Sequence, residues 1–286
     1  VRPLRGSHLV LARERLPVQD CLTIFHPRDK RPVFAFPWEG ATVIGTTDLD
    51  HRQDPEAEAT ISNDELDYLL EAVNDQFPQH ALGRADIIST WSGVRPVIGS
   101  DKSKDPSKER RNHAVWVDKG LVTVTGGKLT TFRKIALDAI EAASGTLGKL
   151  SIVEAGEAVF ANTPISAAAI GVDDESRALR LAGRYGAAAT ELFAGAGATE
   201  RVNIGSTQFC LAECRWAARN EAVVHLDDLL LRRTRLGSLL RAGGEEIFDA
   251  LEAICREELH WEQARWQAEV ARYRDIWSRH YYLPAP

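Results

Sequence analysis

With 286 residues, 44% of them hydrophobic and 27% charged, the chain carries enough apolar material for about two packed domains, which excludes a disordered or fibrous sequence. A formal net charge of −6 leaves no basic excess for a nucleic-acid partner. The four cysteines, Cys21, Cys210, Cys214 and Cys255, lack the CxxC and Cys/His spacings of a metal site, so no metal is expected and the thiols read as reduced.

In chain order, Arg5, Gly6 and Ser7 read as a loop feeding a strand at Leu9, Val10 and Leu11. His8 then sits beside a Gly-Ser turn, where a side chain can be presented at a cleft floor, although a lone histidine is more often a hydrogen-bonded structural residue. Residues 31–38 (RPVFAFPW) and 41–47 (ATVIGTT) are strand-like runs around a turn at Glu39 and Gly40, a hairpin whose second run ends in the polar Thr46, Thr47 and Asp48. Residues 61–77 predict a helix: Ser62 as N-cap, Glu65 as its capping-box partner, a stripe of Leu66, Leu69, Leu70, Val73 and Phe77, and Pro78 as terminator. Residues 86–97 return to strand and loop. Within them Arg95 lies between an apolar residue and a proline, an odd place for a merely solvated arginine. Residues 99–111 are charged and aperiodic and read as an exposed loop, and 113–117 alternate as a strand.

Leu121 to Phe132 (LVTVTGGKLTTF) is the least ambiguous stretch: a buried strand, two glycines, and a helix from near Lys128 whose Leu129, Phe132, Ile135, Ala136, Ala139 and Ile140 give one buried face. Such a corner aims unpaired backbone N–H groups and the positive end of the helix dipole at one point, suited to an anion or an electron-rich ring; spacing alone equally describes a strand-turn-helix corner whose glycines serve only its geometry. After Ser144 the composition turns helical, with segments at about 173–194, 207–219, 225–236 and 245–279 forming an all-α domain. Gly195-Ala-Gly197 is not a dinucleotide fingerprint, because no strand precedes it and Glu200 stands at the third-glycine position. Trp266, Tyr273 and Trp277 share a helical face and read as core. No apolar run reaches the ~20 residues of a membrane span, and no signal peptide is present, so the expected location is cytoplasmic.

Five short motifs, RGSHLVLAR from Arg5, FPW from Phe36, IGTTD from Ile44, WSGVRP from Trp91 and TGGKLTTFRK from Thr125, stand in an order that resembles the FAD-dependent glycerol-3-phosphate dehydrogenases. RNEAVVHLDDLLLRRTRLG from Arg219 is similar to that family's C-terminal domain. The resemblance implies an α+β fold: an antiparallel substrate-binding sheet (19–120) after an entry segment (1–18), the last strand and helix of an FAD domain (121–145), and an all-helical C-terminal domain (160–286). No GxGxxG element is present, and the chain starts with Val1 and contains no methionine. It therefore looks like the C-terminal part of such an enzyme, expected to lack FAD and turnover alone.

The implied reaction is oxidation of sn-glycerol 3-phosphate to dihydroxyacetone phosphate, with hydride to FAD and electrons to a quinone. The implied catalytic residues are His8, as base toward the C2 hydroxyl, and Arg95, orienting the substrate oxygen. Arg111 and Arg95 match arginines of the substrate pocket, with Thr47 and Asp48 in support. Gly126, Gly127, Lys128, Leu129 and Thr130 match the backbone and side chains that meet the flavin. Peripheral contact with the inner face of the cell membrane fits the quinone, and a homodimer is left open. Two alternatives stand beside this reading: an oxygen-using glycerophosphate oxidase, and a non-catalytic binding module of the same architecture.

Overall fold

The protein is described by a computed structural model over residues 1–54, 56–98, 112–148, 157–158 and 165–285. Strands β1 (Arg2–Ala12), β2 (Leu22–Phe25), β3 (Pro32–Trp38), β4 (Ala41–Gly45) and β5 (Leu49–Asp50) precede helix α1 (Asn63–Gln76) and strand β6 (Ile87–Val97). Then come β7 (His113–Asp118), β8 (Leu121–Gly126) and α2 (Phe132–Leu147). The remainder is helical: α3 (Ala167–Ile170), α4 (Glu175–Tyr185), α5 (Leu211–Asn220), α6 (Leu236–Leu239), α7 (Phe248–Leu259) and α8 (Gln263–His280). This is the expected α+β arrangement, antiparallel strands followed by helices.

The contacts divide the chain into two compact units that interleave in sequence. Unit 1 is Val1–Gly6, Thr47–Ala59 and Gly93–Ala161; unit 2 is Ser7–Thr46, Thr60–Ser92 and Asn162–Pro286. The boundaries differ from the consecutive segments read from the sequence because β1 and β6 each run from one unit into the other.

In unit 2, β2, β3, β4 and β1 lie side by side, all antiparallel. Alternation along each strand sends side chains to two faces. One face, with Leu9, Leu11, Ile44, Val33 and Ala35, buries against Leu66, Leu69 and Val73 of α1. Helix α1 starts as the sequence predicts, with Ser62 as N-cap and Glu65 closing the capping box. Val10, Val43 and Ala41 on the opposite face join the core of the helical segment, which includes Phe209, Leu226, Leu229, Tyr273 and Trp277. The hairpin tip is fitted to that segment. Glu39 and Gly40 both have positive φ, a Cβ on Gly40 would lie 2.1 Å from the Ser206 carbonyl oxygen, and Arg180 bonds Glu39 (2.6 Å) and Glu213 (2.9 Å).

The segment 1–12 departs from expectation. It is strand from Arg2 onward, with no Gly-Ser turn before His8, because the backbone on both sides of Gly6 and Ser7 is held in pairing, Leu4 and Arg5 with β5 and His8 onward with β4. The single helix expected over 245–279 is two, broken at His260 in a left-handed conformation whose N–H caps the Cys255 carbonyl.

Trp266, Tyr273 and Trp277 are buried as core. Tyr273 donates to the Gly243 carbonyl (2.6 Å) and Trp277 Nε1 to the Gly237 carbonyl (2.7 Å). A Cβ on Gly237 would fall 2.2 Å from the Tyr273 hydroxyl oxygen. Gly237→Ala is therefore expected to destabilise by about 1–3 kcal/mol, as overpacking of a filled core does, read as a lower urea midpoint at unchanged m-value.

Helices α5 and α7 are tied by Glu258, which accepts from Arg219 (2.5 and 2.8 Å) and Arg215 (2.6 Å). The Arg219 hydrogen bonds, with that of Arg215, hold the Glu258 carboxyl below the usual carboxylate range against the opposing effect of burial. A carboxyl lowered in the folded state stabilises above its unfolded pKa and loses that contribution as the pH falls through the folded one. Glu258→Gln should thus lower the melting temperature at neutral pH and leave it unchanged once the wild-type carboxyl is protonated.

In unit 1, β5 pairs the start of β1, and Arg2 holds Asp50 through two nitrogens at 2.6 and 2.8 Å. The β7–β8 ribbon carries α2, pinned by His113 to Asp138 (2.7 Å) and by Lys134 to the same carboxylate. The expected buried strand and buried helix face are not found. Neither β8 nor α2 has a buried residue, and Leu121 and Leu129 are 68% and 87% exposed. Apolar spacing marks the face that could be covered; it does not supply the cover. Among the described residues no helix is long and apolar enough to cross a membrane.

Candidate active site

One row of unit 2 escapes the packing just described. The strand register aligns Thr23, Phe34, Gly45 and His8 across β2, β3, β4 and β1, on the face that carries Val10 and Val43. The helical core covers Val10 and Val43. The Phe34–Gly45–His8 row instead borders an open cavity of about 580 Å³ lined also by Gln19, Asp20, Cys21, Phe36, Pro37 and Thr46.

Gly45 determines how His8 lies there. A Cβ at residue 45 would be 2.1 Å from His8 Cδ2, 2.7 Å from Cγ and 2.8 Å from Nε2, so the imidazole occupies the place a side chain at this position would take. Its other neighbour is Trp91 of β6, stacked at 5.0 Å between centroids and 20° between planes. Trp91 in turn meets Trp38 edge-on at 5.4 Å, and the Arg235 guanidinium lies 5.5 Å over the Trp38 ring. A histidine so held offers a proton acceptor at the floor of an apolar hollow, the environment in which general-base chemistry operates.

Behind this row, on the α1 face, is a buried polar chain. Ser7 Oγ donates to Glu65 Oε1 (2.8 Å) and lies 2.7 Å from Ser92 Oγ. Glu65 Oε2 accepts from the Ser62 N–H and hydroxyl, both at 3.0 Å. Ser7 and Glu65 are fully buried. Sequence reasoning finds Glu65 only as a helix cap and finds neither Gly45 nor Trp91 as a partner of His8, since each pairing depends on register or tertiary approach.

Unit 1 gathers a second set. Gly126 (φ 77°) and Gly127 (φ 87°) turn the chain from β8 into a 3₁₀ turn, Leu129–Thr131, that runs into α2. A Cβ on Gly126 would stand 2.6 Å from the Asn112 carbonyl oxygen and one on Gly127 2.5 Å from Ile135 Cδ1. Gly126 therefore demands glycine for conformation and for space, and Gly127 for conformation. These glycines line a cavity of about 230 Å³ together with Arg95, Pro96, Ile98 and Asn112. Arg95 Nη1 reaches the buried Asp48 at 3.3 Å, and Thr47 beside it is buried. The structure thus brings Arg95, Asp48, Gly126 and Gly127 together in unit 1, while Lys128, which precedes the 3₁₀ turn, and Leu129 and Thr130 within it are not among the residues lining that cavity. His8 belongs to the cavity of unit 2. Arg111 lies outside the described residues.

Two family models match separate stretches of the chain. Residues 1–133 match a family model described as FAD dependent oxidoreductase, and residues 155–266 match the C-terminal domain of alpha-glycerophosphate oxidase. The aerobic glycerol-3-phosphate dehydrogenase of Staphylococcus haemolyticus is 31% identical over 254 residues, 82% of this chain and 45% of that protein. Over these residues the chain is similar to the FAD-dependent glycerol-3-phosphate dehydrogenases. The enzyme of the same name from Staphylococcus aureus (strain USA300) is also 31% identical over 82% of the chain. The fold matches the crystal structure of the Bacillus halodurans glycerol-3-phosphate dehydrogenase, solved with FAD, at a TM-score of 0.69 and 24% identity, over 97% of this chain and 56% of that one. The chain thus spans about half the length of the curated glycerol-3-phosphate dehydrogenases it matches.

Proposed function

We propose that the full-length protein oxidises sn-glycerol 3-phosphate to dihydroxyacetone phosphate with FAD, passing electrons to a quinone at the inner face of the cell membrane. The observation that carries the reading is the His8 ring laid on Gly45 at the uncovered row of the sheet, in a chain whose curated relatives over these residues are named aerobic glycerol-3-phosphate dehydrogenases.

The corner at Gly126–Thr130 fits a flavin. No side chain projects from the two glycines and no described side chain caps the 3₁₀ turn, whose own bonds take the Thr131 and Phe132 N–H groups; the N–H groups that open the turn, with the positive end of the dipole behind them, are what an electron-rich ring would meet. When bound, FAD supplies the two-electron acceptor. Lys128 adds positive charge there and Thr130 a hydroxyl. On this reading His8 takes the proton of the C2 hydroxyl. Arg95, steadied by Asp48 with Thr47 packed beside it, orients the substrate oxygen and stays charged throughout. Arg111 serves as the phosphate fork, a role supported by the resemblance alone.

The acceptor is separable by experiment. Full-length protein supplied with glycerol 3-phosphate and a soluble quinone analogue should reduce the quinone without releasing peroxide. Stoichiometric peroxide in air would assign the oxidase reading, which the description of the C-terminal family favours.

A further inference from the structure

The Ser92–Ser7–Glu65 chain has no part in the chemistry above, yet it ends one residue from each ring of the stacked pair. Ser7 precedes His8 on β1 and Ser92 follows Trp91 on β6, two paired strands. Successive residues point to opposite faces, so the serines meet on the α1 side where the rings meet on the cavity side. Both strands leave unit 2 at this point, β1 between Gly6 and Ser7 and β6 between Ser92 and Gly93. The serine bond is therefore the last side-chain tie between them within that unit.

Helix capping alone does not account for Glu65. Oε2 takes both donors of Ser62, and Oε1 is left for Ser7. A capping-box glutamate has no need to be buried, whereas Glu65 is 1% exposed in an apolar layer, where a carboxylate persists only if hydrogen-bonded. A carboxylate accepts only, so Ser7 must donate to it and Ser92 must donate to Ser7. The direction of the whole chain is set from Glu65.

We propose that Glu65, acting through Ser7 and Ser92, is a positioning residue that holds His8 against Trp91 and over Gly45. The inference rests on the reading of His8 as the proton acceptor. Its test is a cycle of variants in the full-length flavoprotein. Ser7→Ala and Glu65→Leu should each lower kcat for glycerol 3-phosphate by roughly 10–100-fold, the cost of misplacing a reacting group, with KM little changed. Glu65→Gln should restore most of the rate, since its amide can donate to Ser7, which then donates to Ser92. In a His8→Gln background Ser7→Ala should cost nothing further; an additive loss would mean that the network is merely structural and would overturn the proposal.

A second readout does not depend on turnover. In the same full-length protein with labelled histidine, stacking on Trp91 should displace the His8 ring proton shifts, and Ser7→Ala should abolish that displacement as fully as Trp91→Leu does. Should Ser7→Ala fold poorly, Ser92→Ala carries the same expectation with Ser92→Thr as its rescue. A displacement that survives loss of the serine tie overturns the positioning role. Failure of the wild type to oxidise glycerol 3-phosphate, with the displacement behaving as expected, would instead remove only the reading of the reaction.

Discussion

Replacing His8 with glutamine in the full-length protein is expected to lower kcat for glycerol 3-phosphate oxidation by roughly 10²–10⁴-fold, the contribution of a positioned general base. Glutamine keeps comparable reach and polarity but cannot accept a proton at neutral pH. The site tolerates the change structurally because the row that holds His8 faces a cavity and is not packed into the core. Circular dichroism and flavin content should match the wild type. Arg95 cannot stand in, since a guanidinium does not give up its proton in a protein. A variant that keeps the wild-type rate would remove His8 from the chemistry.

The second large effect is expected at Gly45. Gly45→Ala places a methyl where the imidazole now lies, 2.1 Å from its Cδ2. Because β4 is paired on both edges, by β1 and by β3, its backbone has little freedom to retreat, and the His8 ring must swing away. A displacement of this size should cost about 10²-fold in kcat. The accompanying loss of stability is about 1–3 kcal/mol, typical of an extra methyl forced into a filled place. The discriminating measurement is the pair of values: a large fall in kcat together with a small shift of the urea midpoint. An unchanged kcat would show that the ring does not act from the place it occupies here.

The contrast between these residues shows what is legible in the sequence. Helix α1 was readable to within a residue or two, because its cap, capping box, apolar stripe and terminator are all local. The Glu39–Gly40 hairpin and the glycine corner at Gly126 and Gly127 were readable for the same reason, since positive φ favours particular residues. His8 stood out only through its residue type and the surrounding motif. Its setting did not, because the pairing of His8 with Gly45 is a matter of register between strands more than thirty residues apart in sequence. Glu65 carries a local signal and a tertiary role at once, and the local signal hides the other. On α2 the limit is different. Phe132, Ile135 and Ile140 have the periodicity of a buried face, yet only Ile135 is partly covered, against Gly127, while Phe132 and Ile140 stay exposed. Periodicity describes a helix's own surface and carries no information on its partner.

The most direct test of the account is an anaerobic titration of the full-length protein. It should purify yellow with bound flavin, and sn-glycerol 3-phosphate should bleach that colour to the reduced spectrum with one equivalent of dihydroxyacetone phosphate formed, while glycerol should not. A protein that binds no flavin, or a flavin that stays oxidised under saturating sn-glycerol 3-phosphate, would contradict it.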